Sequence, residues 1–206
     1  MHNQSVVCIG DTRRKVTALL GHDLGNHQKT GKRMRPSQSE YFAYFERYVS
    51  LVPEGDVLPV LRKQVGAVQM ACASLSEERA GFRYAPGKWS VRQVLGHIID
   101  TERVFGYRAL CIARGEVLSL HSFDENAYAA KAGHDLCPLP ELVEEFHALR
   151  QSHMHMLHHL DPAAWERVGC VNEHPTSTRA MAYIMAGHVR HHAAVLSERY
   201  GIEIVA

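Results

Sequence analysis

The chain has 206 residues, 46% of them apolar and 22% charged, with a net charge of +1. That is enough chain for one domain with a core of its own. The near-neutral balance argues against a surface built to grip nucleic acid, no apolar run is long enough to span a bilayer, and no secretory leader is visible. The expectation is a cytoplasmic protein acting on a small molecule, with neither nucleic acid nor a membrane as partner. The five cysteines are odd in number, scattered and never in a C-x-x-C pair, which disfavours both a disulfide framework and a cysteine zinc site. Histidine is the unusual component, at 15 residues.

Residues 1–37 are polar, basic and Gly-containing, without a sustained apolar period, and read as a weakly structured extension ahead of a bundle domain over 38–206. Met34, followed by Arg-Pro-Ser, offers an internal start. Gln38 to Leu51 is aromatic-rich and predicts a short helix packed across the main body. Four longer helices follow. The first is expected over about residues 56–75, with Asp56 as N-cap and Pro59 in the first turn. The second opens with the capping box Ser90-Val-Arg-Gln93 and stops at Gly115. The third starts at Pro140 and ends near Leu160, before Asp161-Pro162. The fourth runs from about Ser177 to Tyr200 and is stopped by Gly201. No segment shows convincing strand alternation, apart from a short extended tail at residues 202–205. The link over residues 116–139 is too long for a simple hairpin. It favours an all-α four-helix bundle with one long crossover, and its polar and aromatic sequence suits a cover for one mouth of the bundle.

The pattern His-x-x-His-His occurs twice, at His155, His158 and His159 and again at His188, His191 and His192. In each, two imidazoles lie a helical turn apart and can reach one ion together. Facing separates the clusters. At about 100° per residue, the third-helix cluster points away from the stripe of Leu142, Phe146, Leu149, Met156 and Leu160, and reads as a solvated face. His153 falls on that stripe and reads as a packed, hydrogen-bonded histidine. On the fourth helix, His188 and His192 flank the centre of the stripe of Met181, Ile184, Met185, Val195 and Leu196. Each needs a partner there, because an unsatisfied buried polar group costs about 1–3 kcal/mol. A shared metal serves both at once; two independent hydrogen bonds are the other reading. Gly187 leaves room for another helix to approach. On the second helix, His97 lies on the flank of the stripe and either turns inward or sits at the surface. Glu102 projects into the stripe and needs a cation or donors, with Arg108 as one partner, or else stands as a polar group inside a cavity. Trp89 reads as a packing anchor.

The run from Pro86-Gly-Lys-Trp-Ser through His97 to Glu102-Arg103, followed by Gly187-His-Val-Arg-His-His, resembles the DinB-like superfamily of YfiT-type metal-dependent hydrolases and thiol-dependent S-transferases. Matching stretches extend over about residues 38–200. The resemblance implies up-down-down-up helix order, a three-histidine metal site of His97, His188 and His192, and a homodimer. It implies one divalent ion (zinc or nickel first, then iron or manganese) and a low-molecular-weight thiol such as glutathione, mycothiol or bacillithiol as cosubstrate. Three imidazoles leave open positions on such an ion, as catalytic sites require. The expectation is therefore a metal-dependent transferase or hydrolase acting on a small electrophile, with Glu102 as acid–base group or as an orienter of the ligands, and Asp100 and Asp124 as further carboxylates to consider. The alternative is a non-catalytic stress-response or ligand-binding module with a structural or vestigial metal site.

Overall fold

The computed structural model describes residues 33–205. In chain order its helices are α1 (Glu46–Val49), α2 (Val57–Ala73), α3 (Glu77–Gly81), α4 (Val91–Arg114), α5 (Glu125–Lys131), α6 (Leu139–His158), α7 (Pro162–Glu166) and α8 (Thr178–Tyr200). A β-hairpin of β1 (Val168–Val171) and β2 (His174–Ser177) sits between α7 and α8. The long helices start and stop where their caps dictate. Asp56 accepts from the Leu58 N–H at the head of α2. Ser90 and Gln93 form a reciprocal box on α4, which ends at Gly115 in the left-handed conformation (φ 84°). Ser177 caps α8, and Gly201 (φ 65°) ends it.

α2, α4, α6 and α8 make the bundle. The Tyr200 hydroxyl at the end of α8 donates to the Trp89 carbonyl at the head of α4, so these two run antiparallel. α4 and α6 run parallel: Arg103 meets Glu145, and further along both helices the Gly106 backbone meets the His153 ring. The order is up-down-down-up. A parallel pair needs a link that travels back the length of a helix, about 36 Å for the 24 residues of α4 at 1.5 Å per residue. The segment between α4 and α6 does this. It carries α5, capped by Asp124, and returns His134 onto Gly96 near the start of α4, where the close approach leaves no room for a Cβ.

The interior is stratified. One apolar cluster gathers Leu61, Phe105, Ala109, Leu157, Trp165 and Met181 among others. A second gathers Val68, Leu95, Ile98, Phe146, Val189 and Leu196. Between them lies a buried polar layer. Arg150, fully buried, donates to both oxygens of Glu102 (2.7 and 2.8 Å) and to Gln64 Oε1 (2.8 Å). Gln64 donates to the Ala186 carbonyl (2.7 Å), and His153 Nδ1 sits 2.9 Å from Glu102. One network thus ties all four long helices together. Burial pushes the Glu102 carboxyl up, but the Arg150 charge and the hydrogen bonds from His153 and Arg150 outweigh it and hold the group below its ordinary value.

Three sequence expectations are corrected here. The helix expected over residues 38–51 is broken into 3-10 turns at Gln38–Glu40 and Ala43–Phe45 followed by the single turn α1. Phe42 is extended (ψ 134°), which lets its ring stack on His174 with centroids 3.8 Å apart, a tertiary contact that overrides a weak local preference. The hairpin was not expected at all. Its strands are four residues each, β2 contains Pro175, and it is stapled by Leu120 of the crossover, which pairs with Val171. The tail after Gly201 forms no strand. Of the extension expected over residues 1–37, residues 1–32 lie outside the described residues. Residues 33–37 are already anchored: Arg33 pairs with Asp56 at 2.9 Å, and Arg35 donates to the Val49 carbonyl at 2.8 Å.

Candidate metal centre

His97 comes from the second turn of α4, and His188 and His192 from adjacent turns of α8. The antiparallel packing of these helices brings the three rings together. His188 Nε2 lies 3.1 Å from His97 Nε2 and 3.1 Å from His192 Nε2. His97 and His188 are buried and His192 partly so. Gly187 permits this arrangement: a Cβ there would come within 2.1 Å of the Tyr48 carbonyl oxygen, so α1 lies directly on α8 beside His188. The Tyr48 ring meets His188 edge-on at 5.4 Å.

Hydrogen bonding among the rings alone does not account for this geometry. A neutral imidazole nitrogen either donates one hydrogen bond or accepts one in its ring plane. His188 Nε2 faces two other ring nitrogens at the same distance and can satisfy only one. Protonation offers no escape. Burial, followed by the other histidines, pushes His188 and His192 well below the ordinary imidazole value, and burial pushes His97 down to about 4. Three imidazole nitrogens gathered this closely suit a divalent cation. A tetrahedral ion with Zn–N bonds of 2.0–2.1 Å sets its nitrogens about 3.3 Å apart, close to the spacing seen here. The outer nitrogens are less well provided for. His97 Nδ1 has Thr101 Oγ1 at 3.5 Å, and His192 Nδ1 is buried without a hydrogen-bond partner among the described residues.

The triad opens onto a cavity of about 390 Å³. Phe42, Tyr44, Phe45 and Tyr48 wall it on one side, Phe105 and Trp89 continue the wall, and Ser122 and Phe123 of the crossover close over it. Thr101, Arg108 and His191 supply polar surface, with Arg47 and Glu125 exposed at the rim.

A model of the DinB superfamily matches residues 61–196. This chain belongs to the DinB superfamily. Among solved structures, this DinB chain is similar to YfiT from Bacillus subtilis, described as a probable metal-dependent hydrolase with an unusual four-helix bundle topology. The two share 16% identity at a TM-score of 0.63, over 86% of this chain and 99% of that one. No curated protein matches the sequence.

The structure brings His97, His188 and His192 together and leaves the other candidates apart. Glu102 does not line the cavity; both its oxygens face Arg150, and one also meets His153, so it is not free to exchange a proton with a bound molecule. Arg108 is not its partner; that guanidinium donates to the His121 carbonyl instead. Asp100 lies beside Arg103 and His134, and Asp124 caps α5. Trp89 is both anchor and wall: its carbonyl accepts from Tyr200 while its ring meets His97 at 4.9 Å. His155, His158 and His159 are exposed. Sequence reasoning missed Arg150, although it stands four residues after Phe146 on the inward face of α6. It also missed the aromatic wall from residues 42–48, whose position depends on tertiary contact.

Proposed function

We propose that the protein is an enzyme that uses one divalent ion, held by His97, His188 and His192, to act on a small electrophile by hydrolysis or by transfer to a low-molecular-weight thiol. The observation that carries this reading is the convergence of three Nε2 atoms at the edge of an aromatic-walled cavity large enough for a small molecule. Zinc or nickel suits an all-imidazole set best, with iron or manganese as the next choices. When bound, such an ion supplies Lewis acidity that brings the pKa of a bound water toward about 7 or holds a thiol as thiolate. The chain's own contribution is distinct. The low proton affinity of the buried imidazoles keeps their lone pairs free at neutral pH. The rings of Tyr48, Trp89 and Phe105 exclude water from one side of the reacting space. Thr101 steadies His97, and the open face of the cavity admits substrate. The same reading includes a homodimer, which the family resemblance supports and which light scattering tests.

The decisive experiment is elemental mass spectrometry on untagged protein, beside His188→Ala with His192→Ala, and beside His155→Ala with His159→Ala as a control. About one ion per chain is expected in the wild type and in the control, and none in the first variant. Loaded protein is then screened for ester and amide hydrolysis and for thiol consumption with glutathione, mycothiol and bacillithiol. Protein that takes up no ion after reconstitution with zinc or nickel sinks the reading. Protein that takes up an ion but turns over nothing points to a ligand-binding module.

A further inference from the structure

The charges inside the bundle do not balance. Arg150 has Glu102, but Arg108 has no carboxylate partner among the described residues. It is 4% exposed, and its only hydrogen bond among the described residues is to the His121 carbonyl. Burial pushes the guanidinium down from its ordinary value. Glu125 lines the same cavity but stands at its exposed rim, out of ion-pair range. A buried cation without a counter-ion is costly to keep in a folded protein. Arg108 is also held in place. Its Cζ lies 5.8 Å from the Phe105 ring and 5.9 Å from the Phe123 ring, so the guanidinium sits between two aromatic faces. Phe105 in turn packs edge-on against His188 at 5.7 Å. The cation and the histidine triad therefore stand one aromatic ring apart on the same cavity.

Resting on the metal-dependent reading of this cavity, we propose that the substrate is a small carboxylate with an apolar or aromatic body, its carboxylate held by Arg108 and its reacting group directed toward the triad. The planar fork of a guanidinium matches the two oxygens of a carboxylate. A single buried cation balances one negative charge, and the remaining wall offers ring faces to an apolar body. Arg108 binds and orients in this account, while the histidines hold the ion.

The test is calorimetric titration with benzoate, phenylacetate and 3-phenylpropanoate, each paired with its neutral amide, on metal-loaded and metal-stripped protein. At least one acid is expected to bind tighter than its amide in both preparations. In Arg108→Gln the affinity for that acid should fall on the order of 10- to 100-fold, as expected for losing a hydrogen bond to a charged group, while the amide is unaffected. Arg108→Lys should fall between, keeping charge without the fork. Because wild-type acid and amide are compared directly, the result does not depend on a variant folding. Equal binding of acid and amide, no binding of any acid, or acid binding that vanishes on metal removal and ignores Arg108→Gln each overturn the proposal. Metal content is measured on the same samples, so a failure of the metal reading shows separately: an empty protein that still discriminates acid from amide through Arg108 keeps the carboxylate site and loses the ion.

Discussion

Two groups of buried polar side chains share the middle layer of this bundle, and they differ in how completely they are satisfied. Arg150, Glu102, Gln64 and His153 close on one another, with the Leu61 and Ala186 carbonyls completing the set. The His97, His188 and His192 triad and Arg108 do not close. Among the described residues, one nitrogen faces two rivals, another has no partner, and a guanidinium has no acid. α4 carries side chains of both groups. A closed network joins helices, whereas an open one leaves valences for something that arrives from outside.

The largest effect that would break this contrast lies on the closed side. Arg150→Met leaves Glu102 buried with only His153 to meet its charge, and the expected loss is about 3–5 kcal/mol in urea denaturation. Adding Glu102→Gln should recover part of that loss; a single variant as stable as the wild type would show that the network is not holding the helices. On the open side, supplying a divalent cation should itself stabilise the fold. With free ion at 100 times its dissociation constant the gain is about 2.7 kcal/mol, read as a rise in Tm that His188→Ala with His192→Ala abolishes. A rise that survives in the double variant would place the ion elsewhere. The smallest effect concerns a third, more superficial pair. Burial raises the Glu40 carboxyl, but hydrogen bonds from Arg179, the Ser37 backbone and Ser177 overcome it and hold the group down to about 2. Its folded value lies below its unfolded value near 4.5, so its stabilisation is present above about pH 4.5 and is lost as pH falls toward 2. Glu40→Gln should flatten that part of the stability profile, by less than the Arg150 effect. An unchanged slope would mean that the pair contributes nothing across this range.

What could be read from the sequence follows the length over which each signal repeats. α4 carries its apolar period for 24 residues between a capping box and a left-handed glycine, and both ends fall where Ser90 and Gly115 put them. The same periodicity turned His188 and His192 inward and left His155, His158 and His159 in water, although the two motifs share one His-x-x-His-His pattern. The residues from 38 to 51 carry no such repeat. Their path is set by Phe42 on His174, by Tyr48 on Gly187 and by Arg35 reaching the Val49 and Val52 carbonyls, all contacts distant in sequence. The hairpin is too short to alternate, and its register depends on Leu120 from another segment. The partner of Glu102 was misread for a related reason. Arg108 is close along the same helix, but Arg150 reaches the carboxylate from the neighbouring helix.

The contact between Tyr48 and Gly187 has a consequence for how this architecture varies. The stretch that matches the superfamily, residues 61–196, contains all three histidines and Arg108, whereas Phe42, Tyr44, Phe45, Arg47 and Tyr48 precede it. The histidine frame and much of the chamber's lining are thus written in separate parts of the chain, joined where a glycine lets one backbone rest on the other. A related bundle could keep its histidines unchanged and exchange the leading segment for another, and it would present a differently shaped room around the same centre.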